Sequence, residues 1–191
     1  MNKEISGEFY LQGVREMASG FLIKPDQTFQ FFFSYGALDR QAKGNWKLEG
    51  DTITFNSEKW PGTDFTIVNS EPGDEIEGIL IQLEKSNPML AAYLHASLAE
   101  GVQDSWKNFD QRGYVRLEPQ PFNTISILFE FCPERFSVLK VKPGHHTFTI
   151  RPEPTLAELY LDNFTLTCTE EGLRGKHPLM KGEEFLYGKA G

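Results

Sequence analysis

Two stretches decide the fold class: Gly20-Phe-Leu-Ile-Lys-Pro-Asp-Gln-Thr-Phe-Gln-Phe-Phe-Phe-Ser-Tyr-Gly36 and Gly44-Asn-Trp-Lys-Leu-Glu-Gly-Asp-Thr-Ile-Thr-Phe55. Both are short runs of aromatic and β-branched residues at every second position, separated by turn residues. Pro25-Asp26-Gln27 and Glu49-Gly50-Asp51 supply the turns, because Pro presets φ and Gly accepts conformations closed to other residues. The pattern predicts two hairpins, 20–35 and 45–56, within an antiparallel β-meander. In strand 28–35, Phe29, Phe31, Phe33 and Tyr35 share one face. Phe32 points the other way, so the second face is not wholly polar.

Working outward, residues 7–14 read as a first strand and 65–68 as a further short one. Residues 69–77 are polar, acidic and turn-rich, which marks the best domain boundary. Strands are also expected at 79–83, 114–117, 125–131, 148–150, 159–161 and 164–168. Segment 88–99 carries conflicting signals. Asn87 and Pro88 look like a helix cap and first turn, with Leu90, Leu94 and Leu98 on one helical face. Residues 92–98 also read as a strand, and strand is the expectation adopted. The fold class expected is mostly β: an antiparallel meander or small barrel over 1–70, then a β-sandwich-like second half over 78–191. One continuous β-rich unit is the alternative.

Composition agrees with this and narrows the function classes. The chain has 191 residues, 16 of them Phe, and a net charge of −8. Aromatics favour strands. The negative charge argues against general nucleic-acid binding, which needs clustered Lys and Arg. No apolar run reaches the length of a transmembrane helix, and the first residues lack a signal-peptide pattern. As written, the chain is expected to be soluble and intracellular; a removed signal peptide would place it in the periplasm or outside the cell. Bridging Cys132 and Cys168 would close a loop worth roughly 3.8 kcal/mol of chain entropy. Two cysteines make no framework, however, and they read as separate buried thiols.

Residues 1–68 resemble the small lipocalin-like β-barrel or meander domains of bacterial proteins. The likeness rests on Phe21-x-x-x-Pro25-Asp26-x-x-Phe29-x-Phe31, then Gly44-x-Trp46, then Gly50-Asp51-x-Ile53-x-Phe55. Residues 78–131 more weakly resemble transthyretin-like or carboxypeptidase-regulatory-like β-sandwiches, through Ile79-x-Ile81-x-Leu83, Asn87-Pro88, Leu94-x-x-x-Leu98-x-Glu100-Gly101 and Asp110-x-x-Gly113-Tyr114-Val115-x-Leu117. Neither resemblance implies a catalytic residue.

Candidate chemistry is sparse. His145-His146 is the only histidine pair. Adjacent residues on an extended segment face opposite ways, so a metal would need further donors from His95, His177 or Cys132. The pair reads more simply as a polar turn beside Pro143-Gly144. Asp74, Glu75 and Glu77 lack cation-loop spacing. Asn163-Phe164-Thr165 fits a glycosylation pattern, but reads as a turn starting a strand. No nucleophile elbow, phosphate loop or zinc-protease motif occurs. The expectation is therefore no catalytic residues, no metal and no cofactor. Phe32, Tyr35, Arg40 and Trp46 are the candidate contact residues. The leading reading is a non-enzymatic protein acting through a protein partner or a homodimer. The alternative is a carrier holding a small apolar ligand in an N-terminal cup.

Overall fold

The computed structural model describes residues 5–36, 38–73, 78–98, 105–182 and 184–191. The chain opens with β1 (Gly7–Leu11), β2 (Met17–Ile23), β3 (Thr28–Tyr35), β4 (Leu38–Glu49) and β5 (Thr52–Ser57). There follow β6 (Phe65–Pro72), β7 (Ile79–Leu83), the single helical turn α1 (Pro88–Ala91) and β8 (Leu94–Ser97). Next come β9 (Lys107–Asn108), β10 (Tyr114–Leu117), β11 (Thr124–Phe129), β12 (Phe136–Lys140) and β13 (His145–Pro152). The chain ends with β14 (Phe164–Cys168), β15 (Gly172–Gly175) and β16 (Phe185–Lys189).

The chain forms two compact units: residues 1–60 with 157–191, and residues 61–156. In the first, eight strands among the described residues close into an antiparallel barrel in the order β1-β2-β3-β4-β5-β14-β15-β16. Each barrel strand pairs with its neighbours along the chain, and β16 returns to β1. The second unit is thus a long excursion between the fifth and sixth barrel strands. The excursion leaves the barrel ladder intact at that point. The Ser57 amide donates to the Leu161 carbonyl at 2.8 Å, and the Leu161 amide donates to Ser57 Oγ at 3.1 Å.

The alternation of β3 places Phe29, Phe31 and Phe33 inside, all but fully buried. They pack with Phe9, Phe21, Ile23, Ile53, Phe55, Leu166, Leu173 and Tyr187 in one core. Phe21 sits at its centre, with ring centroids 4.7 Å from Phe55, 4.8 Å from Phe31 and 5.1 Å from Tyr187. A ring so placed is worth about 3–5 kcal/mol against truncation to Ala. The first hairpin turns as its sequence dictates. Gln27 donates back to the Lys24 carbonyl and takes φ 65°, giving a type I turn closed by a left-handed residue.

In the second unit, β10-β7-β13-β6 and β12-β11-β8-β9 form two four-stranded sheets among the described residues. Ile79, Ile81, Phe148 and Ile150 from one sheet share a core with Leu94, Ala96, Ile125 and Ile127 from the other. This is a two-layer β arrangement. β7 and β13 run parallel, the other ladders antiparallel. Segment 88–99 resolves its conflict by dividing. Asn87 Oδ1 caps the Leu90 amide at 3.1 Å, Pro88 starts one helical turn, and Leu94–Ser97 is strand.

The division of the chain differs from the one suggested by composition. Residues 69–72 continue β6, and their polar character suits the edge strand of a sheet. Residues 74–77, with Asp74, Glu75 and Glu77, lie outside the described residues. The C-terminal residues rejoin the barrel because five strands alone would leave two unpaired edges, which β14, β15 and β16 close. Among the described residues no helix is long and apolar enough to cross a membrane.

Candidate functional site

Gly20 lies in the middle of β2, directly opposite Tyr10 on β1 and Phe32 on β3. A Cβ there would fall 2.7 Å from the Phe9 carbonyl oxygen and 3.0 Å from ring carbons of both Tyr10 and Phe32. The two rings therefore lie over the glycine from either side and meet edge-on, with centroids 6.2 Å apart. A strand glycine leaves its backbone bare, and flanking aromatics cover it. This accounts for Phe32, the residue that breaks the alternation of β3. It faces outward, and part of its ring covers Gly20. Phe32 nevertheless remains 39% exposed and Tyr10 41%.

These rings belong to a trough of about 450 Å³ on the outer wall of the barrel. Leu22, Gln30, Gln41 and Lys43 continue its lining across β2, β3 and β4. Its far side is built by Ser57, Glu58, Glu158 and Tyr160. The 158–161 segment is held there by the Leu159 amide, which donates to the Gln41 carbonyl at 2.6 Å. Two tyrosines donate to carboxylates in the trough: Tyr10 to Glu8 at 2.6 Å and Tyr160 to Glu158 at 2.9 Å. The hydrogen bond to Glu8 raises the Tyr10 phenol above its ordinary pKa. The lining thus carries three carboxylates, Glu8, Glu58 and Glu158, against the one ammonium of Lys43.

Of the four residues expected at a contact site, Phe32 alone lines this trough. Tyr35 is exposed at the end of β3. Arg40 is buried, and its Nη2 donates to the Glu158 carbonyl at 3.1 Å, which anchors the segment that bears Glu158. Trp46 packs against the barrel core and donates from Nε1 to the Lys24 carbonyl at 3.0 Å, tying β4 to the first hairpin turn. Tyr10, Glu158 and Tyr160 were not singled out from the sequence. The signal that leads to Tyr10 is an outward Phe beside a mid-strand glycine, which calls for a second ring on the other neighbouring strand.

The four histidines do not assemble a metal site. His145 and His146 follow the turn at Pro143-Gly144, begin β13 and are both buried, so the pair is the start of a strand where a polar turn was expected. His95 contacts Asn108 and Glu130, and His177 lies within the barrel. Among the described residues no group of three or more His, Cys, Asp or Glu is placed to hold one ion. Cys132 is a buried thiol, and Cys168 a half-buried one.

Within the barrel, His177 Nε2 lies 3.1 Å from Ser19 Oγ, a spacing also seen in nucleophile–base pairs. The proton inventory runs the other way. His177 Nδ1 accepts from the Leu179 and Met180 amides at 3.0 and 3.1 Å, so Nε2 carries the hydrogen and donates to Ser19. Ser19 in turn donates to the Phe32 carbonyl at 3.0 Å. An imidazole fixed in this way cannot deprotonate the hydroxyl, and both groups are buried among Phe31, Phe33, Phe185 and Tyr187. Burial lowers the His177 pKa from 6.5 to about 4. The pair pins the C-terminal segment to β2.

The second unit has a shallower concavity lined by Lys107, Arg112, Tyr114 and Arg116. Its cations have partners close by: Lys107 pairs with Glu118 at 2.7 Å and Arg112 with Asp110 at 3.2 Å. No known family model matches the chain, and no curated protein or solved structure is significantly similar to it.

Proposed function

We propose that this is a binding protein that engages a protein partner through the outer wall of its barrel. The observation that carries the reading is the pair of exposed rings, Phe32 and Tyr10, in a concave lining. Exposed apolar surface in a concavity marks a contact site more often than chance. The sequential eight-strand meander supports the likeness to lipocalin-like barrels, and the two sheets sharing one core support the likeness to accessory β-sandwich modules. The aromatic packing around Phe21 favours the outer wall over an interior cup for a small apolar ligand.

Native mass spectrometry of the full chain, purified gently from cells that express it naturally, tests this. The expected result is a complex with a second polypeptide that the Phe32→Ser variant loses. A lipid-sized mass increment retained equally by Phe32→Ser would contradict it and favour the carrier.

A further inference from the structure

We infer that the outer-wall trough takes a basic side chain, a lysine ammonium or an arginine guanidinium, from an extended segment of the partner protein. This rests on the proposed binding role and specifies its chemistry. Two independent features of the lining converge. Aromatic faces attract cations through the ring quadrupole, and the trough combines Tyr10, Phe32 and Tyr160. Carboxylates supply the countercharge, and Glu8, Glu58 and Glu158 outnumber Lys43.

Local geometry holds the carboxylates in place. Glu8 and Glu158 each accept from a tyrosine two residues away, which orients each carboxylate beside a ring of the lining. The backbone of Glu158 is fixed by Arg40. A carboxylate accepting one hydrogen bond keeps further acceptor capacity for an incoming N–H. Gln30 and Gln41 on adjacent strands add neutral donors and acceptors suited to a peptide backbone. A second copy of this chain fits poorly, because a net charge of −8 opposes docking into an acidic trough. An apolar partner segment would desolvate the carboxylates and bring no countercharge.

The test is a titration of the full-length, nitrogen-15-labelled protein followed by two-dimensional amide NMR. The probes are acetyl-Gly-Lys-Gly-Arg-Gly-amide, the same peptide with Leu at both variable positions, and spermidine. The expected result is saturable shifts at Tyr10, Leu22, Phe32 and Gln41 with the basic peptide, shrinking as salt is added. Glu158→Gln keeps the acceptor for Tyr160 and should weaken binding about threefold or more, the size of one partly exposed charge pair. Its folding is checked by an otherwise unchanged spectrum. Equal shifts with the leucine peptide would overturn the cation assignment while leaving the trough as a contact surface. Response to spermidine without response to the peptide would overturn the protein source. No response to any probe would overturn the inference, and the mass-spectrometric complex would then decide the binding role by itself.

Discussion

Phe32 meets Tyr10 edge-on across the barrel wall, and the space they share exists because the residue between them is Gly20. A methyl group at Gly20 has no room without moving the Phe9 carbonyl or both rings. Gly20→Ala should therefore cost about 1–3 kcal/mol, read as a lowered urea midpoint. Phe32→Ser should cost less, about 0.5–1.5 kcal/mol for the lost ring pair. If Gly20→Ala is neutral, the rings are not confined as described.

His177 makes stability depend on pH in a defined window. Its folded-state pKa lies below the ordinary value, so the unfolded chain takes up the proton first as pH falls. Its contribution is complete above about pH 6.5, declines through the window, and is lost by about pH 4. Between about pH 7 and pH 5 the loss should be about 2 kcal/mol. Imidazole NMR gives the pKa directly, and urea midpoints give the stability. A His177 titrating near 6.5 in the folded protein would contradict its placement.

Asp64 and Arg135 form a buried ion pair at 2.7 Å in the second unit. Arg135 also donates to the Thr155 carbonyl at 3.0 Å, and the Asp64 carbonyl accepts from the Glu153 amide at 2.9 Å. The pair thus joins the incoming and outgoing ends of residues 61–156. Asp64→Asn or Arg135→Gln removes one charge of this buried pair and should cost about 3–5 kcal/mol. Asp64→Leu with Arg135→Met should cost less than the two single changes combined, because no charge is stranded. Additive costs in thermal or urea unfolding would argue against the pair acting as a unit.

The barrel is continuous across the excursion, since Ser57 and Leu161 already bond to each other. Replacing residues 61–156 with a short Gly/Ser linker should leave a barrel that unfolds cooperatively, with the aromatic near-ultraviolet dichroism of a packed core. A molten product would mean that the barrel depends on the excursion.

Local patterning is legible wherever side chains alternate and turns carry Pro, Gly or Asn. Phe29, Phe31 and Phe33 point inward as their spacing requires, and Asn163 makes the turn before β14. The pairing of β5 with β14 is not legible in this way, because nothing in Thr52–Ser57 names a partner more than a hundred residues away. An excursion of that length also hides the barrel's sequential order. The trough is legible only through Phe32. Arg40 and Trp46 draw notice as an arginine and a tryptophan in strands, yet each carries a backbone hydrogen bond that holds the fold. Glu158 and Tyr160 lie in a segment whose placement depends on that same distant pairing.

Photo-crosslinking at position 32 measures directly whether the outer wall is the contact surface. A benzophenone amino acid replaces Phe32 in the full-length protein, and the control carries it at Thr165, which is exposed on β14. Irradiation in cells that express the protein naturally should give one discrete protein adduct from position 32 and none from position 165. Equal adducts from both positions, or none from position 32, would contradict the assignment.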